Sequence, residues 1–336
     1  MSSGPQLAWV TVAAPSILAI VVLSLWGCSK SESMDPPLSS VDPSVGTEAS
    51  ASRTERTGVL LVSHGSHSPE WRKMLREFHE SVEPQILAIP GIGVVKSAFM
   101  EYNEPSIATS LKEFDQEGYK DVILVPLLLT VSSHSFDDIP TIIGAKADAK
   151  SIMTLKAQRI ERYTPQARVT ITPLLDFSSL LQENLPRRIA ALSQDRSREG
   201  VVLVAYGDEP YQEEWEKFFE RLDQVVRKET GAAEVSHCWC GHIVRYSKAP
   251  TTNAIRQILS QHDRAIVVPV LVACDDFFQN QIIGGAVEEV GAGDRVAYIP
   301  DAILPDPKLS EWVVSITRQT RARIHGRDAR GEEPTP

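Results

Sequence analysis

The chain has 336 residues, more than one small core needs and about right for two domains of roughly 130 to 150 residues each. With 42% hydrophobic and 23% charged residues it has the make-up of a soluble globular body, which excludes collagen-like, wholly disordered and polytopic membrane chains. Lys and Arg number 34 against 44 Asp and Glu, a net charge of -10 with no gathered basic run, so nucleic acid is excluded as a partner.

The first charged side chain is Lys30, and Leu7 to Gly27 form an uncharged apolar stretch long enough to cross a bilayer. It stops at Leu25-Trp26-Gly27-Cys28, which resembles the lipobox of bacterial lipoproteins, where cleavage precedes a cysteine that then carries lipid. Residues 1–27 are therefore expected to be a signal peptide or membrane anchor, Cys28 the lipidation site, and the body tethered on the extracytoplasmic face. The apolar run has no Lys or Arg before it, unlike a secretory signal, which keeps an uncleaved anchor open. Residues 28–57, rich in Ser and Pro, read as a flexible linker. Cys238, Cys240 and Cys274 are the remaining cysteines, an odd number that implies no disulfide framework.

From Gly58 onward strands and helices alternate. Val59 to Val62 is a short continuous apolar run, as expected of a strand buried on both faces. Pro69 suits a first helical turn, and Trp71, Leu75, Phe78 and Val82 then recur on one helical face. A second strand is predicted near 94–99. After it, Ile107, Leu111 and Phe114 mark a helix beyond Pro105 that Gly118 can end. A third strand at 122–129, a fourth at 169–172 and a helix near 177–192 complete the unit. The unit then repeats. Gly58-Val-Leu-Leu-Val-Ser-His-Gly65 is echoed by Gly200-Val-Val-Leu-Val-Ala-Tyr-Gly207, Val122-Ile-Leu-Val-Pro126 by Ala265-Ile-Val-Val-Pro269, and Trp71 by Trp215. The fold class that follows is α/β, with two doubly wound parallel-sheet lobes related by internal duplication, at 58–192 and 200–320. Residues 325–336 read as a disordered tail.

In open α/β sheets ligands bind beyond the carboxyl ends of the strands. In the first lobe His64 follows the first strand, Glu104 precedes Pro105, and His134 follows the third strand. If the first and third strands are neighbours, about 4.8 Å apart, both imidazoles can reach one ion. The second lobe is an internal control: at the aligned positions it has Tyr206, Ala249 and Phe277. The scaffold is repeated and the polar trio is not, so these residues point to chemistry rather than folding. His64, His134 and Glu104 are thus the candidate catalytic residues, with His64 and His134 the candidate metal ligands.

Leu60-Leu-Val-Ser-His-Gly-Ser66, Ala98-Phe-Met-Glu-Tyr-Asn-Glu-Pro-Ser106 and Val125-Pro-Leu-Leu-Leu129 through His134 to Asp138-Ile-Pro140 together resemble the CbiX-type sirohydrochlorin cobaltochelatases, class II tetrapyrrole chelatases. The resemblance covers 58–192 clearly and 200–320 as a degenerate copy. It implies a bilobal α/β enzyme that inserts a divalent metal, Co²⁺ first with Ni²⁺ or Fe²⁺ as variants, into sirohydrochlorin or a related tetrapyrrole during cobalamin or tetrapyrrole biosynthesis. It also implies metal binding by His64 and His134, with Glu104 as a further metal or proton-handling group. Neutral imidazoles suit such borderline ions and can accept pyrrole protons. Asp137 or Asp138 could orient His134, or equally serve as an exposed cap of the following helix. Lys96, Arg245 and Lys248 are candidates to meet the substrate carboxylates, and Ser63, Ser66, Ser132 and Ser133 to donate hydrogen bonds to them.

Other signals carry less. Cys238, Cys240 and His242 would share one strand face, with Cys274 approaching, but the spacing matches neither Cys-x-x-Cys nor a haem-attachment motif, and ordinary buried cysteines fit as well. Neither Gly-x-Ser-x-Gly nor a Gly-rich phosphate loop is present. The rival to a chelatase is a non-enzymatic exported lipoprotein that binds metal or tetrapyrrole, a reading that the apolar leader motivates.

Overall fold

Four consecutive apolar residues, Val59 to Val62, leave the chain no solvated side at the start of the first lobe, and β1 (Thr57–Ser63) is buried at every position. The computed structural model describes residues 56–175, 179–241 and 245–328. The signal or anchor (1–27), Cys28 and most of the linker lie outside the described residues. Thr57, placed by sequence in the linker, is the first residue of β1 and 2% exposed. Among the described residues no helix is long and apolar enough to cross a membrane.

Helix α1 (Pro69–Leu87) follows as predicted. The Ser68 hydroxyl caps it by accepting from the Trp71 N–H, Pro69 fills the first turn, and Trp71, Leu75, Phe78, Val82 and Ile86 form its buried stripe. Burying each of these large apolar side chains contributes about 1.5–3 kcal/mol. Next come β2 (Ile92–Phe99), α2 (Ile107–Gln116), β3 (Asp121–Pro126) and β4 (Arg168–Ile171). The order in the sheet is β2-β1-β3-β4, all parallel, so β1 and β3 are neighbours, with Val62 opposite Pro126. In the second lobe β5 (Glu199–Ala205), β6 (Glu234–Trp239), β7 (Arg264–Pro269) and β8 (Val296–Tyr298) repeat the arrangement as β6-β5-β7-β8.

Between β3 and β4 the structure holds elements that the sequence pattern did not predict. A π-helical turn, Ser133–Asp138, runs into α3 (Ile139–Ile142), and α4 (Ala149–Ala157) follows. The turn is capped reciprocally. Ser132 Oγ accepts from Ser135 N at 3.3 Å, and Ser135 Oγ accepts from Ser132 N at 2.9 Å. The second lobe has a matching π-helical stretch, Phe277–Gly284, before α8 (Gly285–Val290).

The closing helix of each repeat covers the other repeat. Helix α5 (Ser179–Leu192) packs on α6 (Gln212–Thr230) and β7 of the second lobe, and α9 (Pro307–Asp328) packs on α1 and β3 of the first. One core therefore runs through both lobes, joining Val59 and Leu61 to Val201, Leu203 and Val313. The outer faces keep separate cores, under α2 in the first lobe and under α7 (Ala249–Gln261) in the second. Helix α9 runs on to Asp328 past the buried Ile324, four residues into the stretch that the sequence assigns to a tail; 329–336 lie outside the described residues.

Candidate metal centre

His64 stands one residue beyond β1 and His134 in the first turn of the π-helical segment beyond β3. Because β1 and β3 are adjacent, the two rings meet with Nε2 atoms 3.3 Å apart. Their other nitrogens are both engaged. His64 Nδ1 lies 2.9 Å from the Gly65 carbonyl, and His134 Nδ1 lies 2.8 Å from the Asp138 carboxylate. A carbonyl and a carboxylate only accept, so each Nδ1 carries a proton, and the two Nε2 atoms face each other. Two ring nitrogens at that distance hold either a proton or a metal cation between them. With metal–nitrogen bonds of about 2.1 Å, a 3.3 Å separation subtends roughly 100° at the ion, close to a tetrahedral or cis-octahedral angle.

Glu101 completes the cluster. One oxygen of its buried carboxylate lies within 4.8 Å of both imidazoles, making His64, Glu101 and His134 the group of three among the described residues able to hold an ion. Its backbone N–H donates to the His64 carbonyl at 2.8 Å, extending the β1–β2 ladder by one rung. This close approach depends on Gly65, whose φ is +103° and where a Cβ would stand 1.9 Å from the Glu101 carbonyl oxygen.

Glu104 is placed differently from the sequence expectation. Its carboxylate accepts from Ser106 N at 2.6 Å and Thr109 Oγ1 at 3.1 Å, at the start of α2 and away from the imidazoles. Glu104 thus stands three residues past Glu101, at the entry to α2. Sequence held a signal for Glu101: it sits at the β2 tip as His64 sits at the β1 tip, whereas Glu104 stands beside Pro105 at the entry to α2. Of the two aspartates, Asp138 orients His134, while Asp137 pairs with Lys146 and accepts from Tyr211.

Burial foremost, then the neighbouring His134, holds the His64 pKa below its ordinary 6.5, with Glu101 pulling the other way. His64 thus favours the neutral imidazole, the form that binds metal.

The cluster lies on the wall of a cavity of about 580 Å³ between the lobes, a size typical of small-molecule sites. The facing wall comes from the degenerate lobe. Tyr206 occupies the place of His64, Gly241 that of Glu101, and Phe277 opens the π-helical stretch as Ser133 does. In place of ligands these positions build an aromatic surface. Tyr246 lies 5.2 Å from Phe277 and Tyr206 lies 5.4 Å from Phe278, centroid to centroid. Burial first, and a hydrogen bond with Tyr246 second, push the Tyr206 phenol well above its usual range, so it stays neutral.

None of the three basic residues expected to meet substrate carboxylates lines this cavity. Lys96 is held by Glu113 and Glu117, Arg245 by Glu209, and Lys248 lies against Gly285. Ser63 does line it, its buried hydroxyl having no hydrogen-bond partner among the described residues. The cysteines are separate. Cys238 and Cys240 are buried in the outer core of the second lobe, where burial pushes the Cys238 thiol up to about 12 and Cys240 higher still. Protonated thiols are poor ligands. Cys274 instead meets the Pro300 carbonyl, and His242 lies outside the described residues.

Two parallel-sheet lobes enclosing a cleft, with one imidazole pair and a carboxylate on a single wall, define a chelatase-like protein. The CbiX family model matches residues 58–192. Sirohydrochlorin cobaltochelatase of Saccharolobus solfataricus is 30% identical over 132 residues, covering 39% of this chain and 92% of the relative. The sirohydrochlorin chelatase SirB of Bacillus subtilis subspecies spizizenii, solved with cobalt, matches with a TM-score of 0.58 at 18% identity over 81% of this chain and 97% of SirB. SirB from Bacillus subtilis with Fe3+ gives a TM-score of 0.59, also at 18% identity, over 81% and 98%. The chain belongs to the CbiX family and is a metal chelatase, the class that its architecture also indicates.

Proposed function

We propose that this protein inserts a divalent metal, Co²⁺ in the first instance, into sirohydrochlorin or a closely related tetrapyrrole, and that His64, His134 and Glu101 deliver the ion. The observation carrying this is the 3.3 Å approach of two Nε2 atoms whose partner nitrogens both act as donors. Three protein ligands leave coordination positions for pyrrole nitrogens, and a macrocycle in the cleft would rest on the Tyr246–Phe277–Phe278 surface opposite. Insertion makes metal–nitrogen bonds and releases two pyrrole protons. As the ion leaves, the freed Nε2 lone pairs and the Glu101 carboxylate are the nearest bases to receive them. Cobalt is favoured by the names of the relatives and by the affinity of imidazole for such ions.

The test mixes protein lacking residues 1–28 with sirohydrochlorin and Co²⁺ and follows absorbance against the spontaneous rate; equal rates would defeat the proposal. His134→Ala should weaken metal binding markedly while Phe277→Ala leaves it and raises KM for the macrocycle. Equal losses of metal affinity from both would contradict a one-sided site. We further propose a lipid tether at Cys28 on the extracytoplasmic face, supported by the apolar run from Leu7 to Gly27. Labelled fatty acid should be incorporated by the full chain and lost in Cys28→Ala; equal labelling would rule the tether out.

A further inference from the structure

The loops that carry the imidazoles are held from the other lobe. Ser66, two residues after His64, donates its hydroxyl to the Asp275 carboxylate. Ser133, one residue before His134, donates its backbone N–H to Asp208 Oδ2 at 2.6 Å and its hydroxyl to Asp208 Oδ1 at 3.4 Å. Asp208 is 2% exposed.

These contacts are two halves of one pseudo-symmetric arrangement. Ser66 is the third residue beyond β1 and Asp208 the third beyond β5, while Ser133 is the seventh beyond β3 and Asp275 the sixth beyond β7. Each contact therefore joins the first-strand loop of one lobe to the third-strand loop of the other, as an isologous interface requires. Chemically the pair is one-sided: both carboxylates belong to the lobe without metal ligands, and all the donors to the lobe that has them. A carboxylate accepting from N–H or O–H in a buried setting forms bonds stronger than neutral ones. It also brings no cation to compete for the imidazole lone pairs.

We infer that Asp208 and Asp275 are positioning residues for metal binding: the degenerate lobe has lost the ligands and fixes their spacing from across the cleft. Ser66 and Ser133 are thereby anchors for the His64 and His134 loops, a different task from contacting substrate acids. The inference rests on the proposal that the imidazole pair binds the metal.

The test is a double-mutant cycle on Co²⁺ affinity, measured by competition with a chromophoric chelator, using Ser66→Ala, Asp275→Ala and the double variant, with Asp208→Ala alongside. Each single variant should bind Co²⁺ roughly tenfold more weakly, as for other groups that orient metal-binding histidines. The double variant should be no worse than the singles, and the visible Co²⁺ spectrum should change. Asp275→Asn, which keeps an acceptor for the Ser66 hydroxyl, should restore most of the affinity. Arg187→Ala, which breaks the bond to Asp306 at 2.6 Å elsewhere between the repeats, should lower Tm without changing the spectrum. Affinities of the Ser66, Asp275 and Asp208 variants within twofold of wild type would overturn the inference. So would a loss that Arg187→Ala reproduces at equal Tm. If Asp275→Ala fails to fold, Ser66→Ala and Asp275→Asn alone decide: the first must lose affinity and the second keep it. Wild-type protein that bound Co²⁺ no better than His64→Ala would instead sink the metal-site proposal itself.

Discussion

Asp138→Asn isolates the charge behind His134 with little change of shape. Asp138 is 6% exposed, with one oxygen 2.8 Å from His134 Nδ1 and the other 2.5 Å from Ser151 Oγ. An asparagine can place its carbonyl on the imidazole N–H and its amide toward the Ser151 hydroxyl, which accepts as well as donates, so the ring should stay where it is. What disappears is the negative charge that makes Nε2 a stronger donor to a metal. Removing such partners typically costs 10–100-fold in metal affinity, about 1.4–2.7 kcal/mol, and preserved geometry places this variant near the lower end. Chelator competition with Co²⁺ gives the dissociation constant, and calorimetric Tm separates weakened binding from weakened folding. Ser151→Ala should cost less than threefold, since the carboxylate remains. Binding by Asp138→Asn within twofold of wild type would refute the claim that this carboxylate tunes the site.

Gly65→Ala forces a Cβ into the Glu101 carbonyl at a backbone angle that side chains rarely adopt, so it should abolish high-affinity Co²⁺ binding and lower Tm by several degrees; an unchanged Kd would show that the tips of β1 and β2 have slack. His79 on α1 has an Nε2 closed off from solvent with no hydrogen-bond partner among the described residues, and burial lowers its pKa to about 4. The unfolded chain takes up that proton near 6.5 and the native state does not, so stability is intact above pH 6.5 and falls by about 2–3 kcal/mol toward pH 4. His79→Leu should flatten that part of the Tm-against-pH curve, and an unaltered slope would assign the loss to other groups. His237 runs the opposite way. Burial opposes its charge, but Asp223 and Glu216 outweigh it and raise the pKa. Its contribution is full below pH 6.5 and fades as pH climbs through the raised value, so His237→Gln should lose more Tm at pH 6 than at pH 9.

Where sequence spoke through periodicity it was specific. The apolar runs of β1 and β5 and the Trp71–Leu75–Phe78–Val82 stripe of α1 follow from patterns with a buried face, whereas the adjacency of β1 and β3 that brings His64 to His134 was a condition the sequence left open. The stretch from 130 to 167 has no such stripe, so the π-helical turn and α4, held by Ser and Asp caps, were not visible. Glu101 and Glu104 lie in one short loop, and which carboxylate stays at the strand tip depends on the path of the backbone, which composition does not encode. Cross-lobe bonds such as Ser66 to Asp275 join residues 209 apart, and the polar side chains at either end look like ordinary loop residues.

The exchange of closing helices has a mechanical consequence. A fragment ending at Leu192 would carry α5 without the neighbours that it covers and expose the apolar flank of β3 that α9 shelters. The two halves should therefore melt together, as a single cooperative event. A jaw-like swing of one half against the other would have to break this packing. The two walls of the cleft are thus tied together by helices that each half lends to the other.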